Sequence, residues 1–198
     1  SQPTTAFLND WLGRTALLIA QYRPQILWLD GWVEQPVFEP HRQKLAAYFY
    51  NSAAGWGRDA VLNYRLGAYP EKAAVQDVEG GRPDAIRPHP WQASVSLSPN
   101  SSGYVQDAEY RSADSLVDML VDVVSKNGNL LVSVGPKADG TIPDQAANVL
   151  REVGRWLAAN GEAVYGTRSW KTYGEGPSPA APVDAAGLPP AAFTAEDI

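Results

Sequence analysis

Apolar residues recur at helical spacing between residues 9 and 22, where Leu12, Ala16, Ile19 and Ala20 share one side. Asn9 or Asp10 is placed to cap this helix, and Pro24 stops it. The period then changes. Residues 26–29 are wholly apolar and lead into Asp30-Gly31, the pattern of a buried strand in a parallel sheet with a polar residue at its C-terminal end. A second helix is expected over 39–54, with Leu45, Tyr48 and Phe49 turned inward. Residues 60–64 read as another buried strand, ending in the polar Asn63 and Arg65. A third apolar run, 73–78, is closed by Glu79-Gly80-Gly81, and residues 91–97 alternate like a strand. Residues 113–126 predict a helix with Leu116, Met119, Leu120, Val123 and Val124 on one side and Asn127-Gly128 as its stop. A strand over 129–134 and a helix over 143–160, opened by Pro143 and closed by Asn160-Gly161, complete the pattern.

Strands alternating with helices imply an α/β fold, a parallel sheet with helical crossovers. A (β/α) barrel and a doubly wound sheet share that alternation. In a barrel, reactive residues stand at the C-terminal ends of the strands. Asp30, Asn63, Arg65 and Glu79 all fall there on this reading. From Gly174 the composition shifts to Pro, Ala and Gly. Residues 1–175 are therefore read as one folded part and 176–198 as an extended linker whose last residues begin a strand.

Composition narrows the function. The net charge is -6 with no basic cluster to offset it, which argues against a nucleic-acid partner. There is no Cys, so disulfides and thiolate metal sites are excluded. Apolar stretches such as 16–20 are too short to cross a bilayer, and no signal-peptide pattern stands at the first residues. No His or carboxylate cluster has metal spacing, and His41 and His89 are isolated. The loop 135–140 is punctuated by glycine but lacks the Lys-Ser/Thr ending of a phosphate loop, so it reads as a structural turn.

The chain holds seven Trp and nine Tyr, a supply of faces that stack on sugar rings, although core packing is the reading for most of them. Trp28 stands two residues before Asp30 and shares its side of the pleat, either walling a sugar pocket or packing a barrel. Trp32 and Trp91, at strand ends, are candidate stacking surfaces. Arg65 is placed to hold a sugar hydroxyl or a nucleophile carboxylate, with a plain salt bridge as the competing reading.

Two segments carry a family resemblance. ILWLDG at 26–31 resembles the nucleophile strand of family 29 α-L-fucosidases, commonly LWFDG. Residues 112–170, SADSLVDMLVDVVSKNGNLLVSVGPKADGTIPDQAANVLREVGRWLAANGEAVYGTRSW, resemble the long C-terminal signature of the same catalytic domain. Asn51-Ser52-Ala53 and Leu62-Asn63-Tyr64-Arg65 match what lies between. The resemblance implies the C-terminal half of a (β/α)8-like (TIM-type) barrel, with the family's N-terminal half and a following β-sandwich domain not represented. It implies a retaining glycoside hydrolase acting on terminal α-L-fucosides of glycans, with no metal or organic cofactor. Secretion or a periplasmic site would accord with the family, while the composition selects no compartment.

Retention requires two carboxyl groups flanking the scissile bond, ~5–5.5 Å apart. The resemblance makes Asp30 the nucleophile, with Gly31 leaving room for the sugar. In many relatives the acid/base is the Glu of a WE pair, but here that pair is Trp91-Gln92, and Gln delivers no proton. A branch of the family carries a DIERG-like segment ahead of a WQ pair, which points to Glu79 in Asp77-Val78-Glu79-Gly80. Partial desolvation at the end of an apolar run would suit Glu79 to the role, and Glu71 is the runner-up. A non-catalytic sugar-binding or scaffold half-barrel is the alternative function. Either way an open sheet edge is expected, to be closed by a second copy of the chain or by a complementary N-terminal half-barrel chain.

Overall fold

Thr4 opens the first helix. Its Oγ1 accepts from Phe7 N at 3.2 Å, satisfying one of the amides that a helix start leaves unpaired. Helix α1 therefore runs Thr5–Tyr22, starting ahead of the expected caps. Asn9 instead lies 3.1 Å from His41 through Oδ1, and Asp10 pairs with Arg14 one turn on. Arg23 ends the helix in a left-handed conformation, φ 47°, just before Pro24. The structure, a computed structural model, describes residues 2–175, so the expected linker at 176–198 lies outside the described residues.

The fold is α/β, with five strands in the hydrogen-bonded order β1-β2-β3-β4-β5. The chain divides into two units after Asp77. In the first, α1 is followed by β1 (Ile26–Leu29), a 3-10 turn (Pro36–Phe38), α2 (Glu39–Gly55), β2 (Val61–Tyr64) and the start of β3 (Val75–Glu79). β1 and β2 pair in parallel, Ile26 opposite Val61 and Leu29 opposite Tyr64. β2 continues in parallel to β3, Tyr64 opposite Gln76. Leu8, Ile19, Leu29, Phe38, Leu45, Phe49, Leu62 and Tyr64 form the core of this unit. Phe38 meets Trp11 edge-on at 5.3 Å.

Three expectations change here. β1 is uniformly apolar yet only half-buried: Leu27 and Leu29 pack into the core, while Ile26 and Trp28, on the other face of the pleat, are exposed. Tyr48 is also exposed. The buried stripe of α2 is Arg42, Leu45, Phe49 and Ala53, and Tyr48 stands about 100° around the helix from its neighbour Phe49. Finally, no helix occupies the connections 65–74 or 80–90, so β2, β3 and β4 follow one another without helical crossovers. Gly67 at φ 72° and Pro70 break the first of these segments into turns.

The second unit contains β4 (Trp91–Ser96), α3 (Ala113–Ser125), β5 (Gly128–Ser133), α4 (Asp144–Asn160) and a 3-10 turn (Gly161–Ala163). β4 and β5 are parallel from Trp91 opposite Gly128 to Ser96 opposite Ser133. Ser112 Oγ accepts from Ser115 N at 3.1 Å to cap α3, and Leu116, Met119 and Val123 line its buried side. At the other end of α3, Asn127 rather than Gly128 takes the left-handed turn, φ 69°. Gly128 is needed for a different reason: a Cβ there would lie 2.5 Å from the Trp91 ring. Lys126 is buried beside that ring. Its Nζ pairs with Asp122 at 2.7 Å and lies 4.7 Å from the Tyr173 ring centre.

Candidate active site

The site residues of the first unit stand where the strands end. Asp30 directly follows β1, Arg65 directly follows β2, and Asp77 lies within β3. Parallel register brings these ends level, and the long guanidinium of Arg65 bridges them. Its Nε donates to Asp77 Oδ2 at 2.9 Å, and its Nη1 donates to Asp30 Oδ1 at 3.0 Å. Trp28 completes the group. Its indole Nε1 donates to the same Asp77 Oδ2 at 3.2 Å, and its ring lies 4.8 Å from Arg65 Cζ.

Burial separates the two carboxylates. The Asp77 side chain has no exposed surface, that of Arg65 is 14% exposed, and that of Asp30 is 64% exposed. An exposed ion pair contributes about 0–1 kcal/mol, whereas removing one member of a buried pair costs about 3–5 kcal/mol because a charge is stranded. Asp77 therefore fixes the guanidinium, and Asp30 remains open to solvent at its tip. Asp30 Oδ1 also accepts from Gly31 N at 2.8 Å, which sets its rotamer.

Two apolar side chains flank these polar groups in conformations that L-residues rarely adopt. Trp32, two residues after Asp30, has φ 77° and is 78% exposed. Leu66, next to Arg65, has φ 53° and is also exposed. Holding a bulky residue there costs on the order of 1–3 kcal/mol, a cost found most often at functional sites.

Glu79 ends β3 and is exposed rather than desolvated, beside Gly80 at φ 62°; Gly80 N donates to Ser94 O at 3.0 Å. Glu71 is exposed in the turn between β2 and β3. Trp91 is wholly buried, and its Nε1 donates to Lys126 O at 2.9 Å. Its faces pack against Gly128 and Val123, so the expectation of a stacking surface there is replaced by a core role. Among the described residues, no group of three or more His, Cys, Asp or Glu is placed to hold a metal ion, and no helix is long and apolar enough to cross a membrane.

The sequence pattern alone does not mark Asp77 as a site residue. The available signal is a charged residue inside the largely apolar run 73–78, a position where a carboxylate needs a buried partner.

The alpha-L-fucosidase family profile matches residues 1–162, which include Trp28, Asp30, Arg65, Asp77 and Glu79. The chain belongs to the alpha-L-fucosidase family. Among curated relatives, it is 34% identical to the plasma alpha-L-fucosidase of Rattus norvegicus over 169 residues, covering 82% of this chain and 36% of that protein. It is 31% identical to the alpha-L-fucosidase of Dictyostelium discoideum, covering 85% of this chain and 38% of that one. Among solved structures, the alpha-fucosidase of Thermotoga maritima in complex with fucose superposes with a TM-score of 0.72 at 32% identity, over 85% of this chain and 37% of that chain. The chain thus spans little more than a third of the length of these fucosidases.

Proposed function

We propose that this chain supplies the nucleophile of a retaining α-L-fucosidase, with Asp30 in that role. The observation that carries the reading is the state of Asp30: an exposed carboxylate at a strand end, held through one oxygen by Arg65 in a chain of fucosidase family. Both hydrogen bonds to Asp30 fall on Oδ1, which leaves Oδ2 for the anomeric carbon of a terminal fucosyl residue. Support also comes from the Thermotoga maritima relative, which is solved with fucose and with a mechanism-based inhibitor.

In the first step Asp30 Oδ2 attacks the anomeric carbon, the glycosidic C–O bond breaks, and Glu79 gives its proton to the departing oxygen. In the second, Glu79 takes a proton from water. The water oxygen displaces Asp30 from the anomeric carbon, releasing fucose and restoring both carboxyl groups. Glu79 is the last residue of β3 and is exposed. Trp28 and Trp32 offer apolar surface to the sugar, and Arg65 keeps the nucleophile aimed. No cofactor is needed for either step.

The test is stereochemical. Proton NMR of the hydrolysis of an aryl α-L-fucoside should show α-fucose forming first, with the β anomer appearing only by mutarotation. First appearance of β-fucose would contradict the double displacement.

The same reading takes the sheet as the C-terminal half of a (β/α)8-like barrel. β1 and β5 stand at the sheet edges. Ile26 on β1 and Leu17, Leu18 and Tyr22 on α1 are exposed. These features support closure of the barrel by a second copy of the chain or by a complementary N-terminal half-barrel chain.

A further inference from the structure

We infer that Asp77 is a positioning residue of this site, holding Arg65 and Trp28 in place so that Arg65 can aim Asp30; the inference rests on the proposed role of Asp30. One carboxylate oxygen, Oδ2, accepts from both Arg65 Nε and Trp28 Nε1, at 2.9 and 3.2 Å. With no exposed surface, the Asp77 side chain is placed to act on other protein groups and not on a substrate. Arg65 uses separate nitrogens for Asp77 and Asp30, Nε for the buried carboxylate and Nη1 for the exposed one. A planar guanidinium fixed at Nε and covered by the Trp28 ring at 4.8 Å has little freedom left at Nη1. The direction of the Nη1–Asp30 bond is thus set by Asp77. Reacting groups held in this way lose on the order of 100-fold in rate when displaced by about 1 Å.

The experiment uses the full chain and Asp77→Asn, which is isosteric, with Asp77→Ala as a harsher second variant. Nitrogen-15 spectra of the unaltered chain should show slowly exchanging Arg65 Nε–H and Trp28 Nε1–H signals. Protection of Arg65 Nε–H should fall at least tenfold in either variant, and the Asp30 carboxyl carbon-13 shift should move as it does in Arg65→Ala. Where fucoside turnover is measured, kcat should drop ~10–100-fold with KM nearly constant. Asp77→Asn that loses thermal stability but leaves the Arg65 Nε–H protection and the Asp30 carboxyl shift unchanged would overturn the inference and leave Asp77 as a structural anion. Failure of the parent reading looks different: Asp30→Gly would retain activity whatever the spectra of the Asp77 variants show.

Discussion

Arg65 donates through Nη1 to Asp30 Oδ1 at 3.0 Å, joining the residue after β2 to the residue after β1. The bond is exposed on the Asp30 side and adds little to stability. Its value on the proposed reading is orientation. Asp30→Gly should therefore leave the fold intact while lowering fucoside turnover by about 10³-fold or more, the scale on which loss of a nucleophile is felt. Azide, filling the vacated space, should restore part of that turnover. Activity near that of the unaltered protein would remove Asp30 from the chemistry.

Glu79 and Glu71 are separated by leaving-group dependence. Glu79→Ala should cost ~10²–10⁴-fold on fucosides with poor leaving groups and far less on activated aryl fucosides, which need little protonation. Glu71→Ala should do less on both. Steady-state rates on the two substrate types make the comparison, and equal losses at position 79 would reduce Glu79 to a sugar-positioning group.

The strand and helix plan was legible in the sequence wherever a local pattern decides the outcome. The four-residue apolar run 26–29 is β1 itself, and the spacing of Leu116, Met119 and Val123 gave the buried side of α3. Asp30 and Arg65 were also legible as strand-end polar residues, a position that follows from the strands alone. What was not legible depends on three-dimensional neighbours. Trp91 and Trp32 both look like strand-end aromatics, yet the first is packed against Gly128 and the second is open to solvent. Nor did the apolar letters of β1 show that Ile26 would be left exposed, because burial belongs to the packing partner. Thr4 caps α1 ahead of the first residue of the apolar periodicity, so that periodicity alone does not mark it.

The turn after β5 gives a pH-dependent check. Asp139 is held below the ordinary carboxylate range, chiefly by the hydrogen bond from Thr141 N at 2.9 Å and then by that from Thr141 Oγ1 at 2.7 Å. A group depressed in the folded state contributes stability that is complete above its unfolded value, about 3.9, and is lost as pH falls through the lower folded value. The effect is therefore confined to pH below about 4. Thr141→Val keeps the backbone donor and removes the hydroxyl, so the Asp139 carboxyl carbon-13 titration should move up part of the way toward the ordinary value. An unmoved titration would show that the hydroxyl bond does not form in solution.

Ile26 on the edge strand β1 and Leu131 on the edge strand β5 are exposed, and an edge strand invites pairing. Light scattering of the isolated chain should give the mass of a dimer or larger species, or a mass that rises when a complementary half-barrel chain is added. A monodisperse monomer that unfolds cooperatively and ignores such a partner would contradict the expectation.

If Asp30 is the nucleophile of an α-L-fucosidase, a covalent fucosyl-enzyme forms on it and can be trapped. The chain, in the assembly that turns over an aryl α-L-fucoside, is treated with a 2-deoxy-2-fluoro-fucosyl fluoride, digested and mapped by mass spectrometry. One fluorofucosyl adduct per site is expected, on Asp30 within the ILWLDG segment, and none in Asp30→Gly. An adduct on another carboxylate, or turnover with no adduct at Asp30, would contradict that role for Asp30.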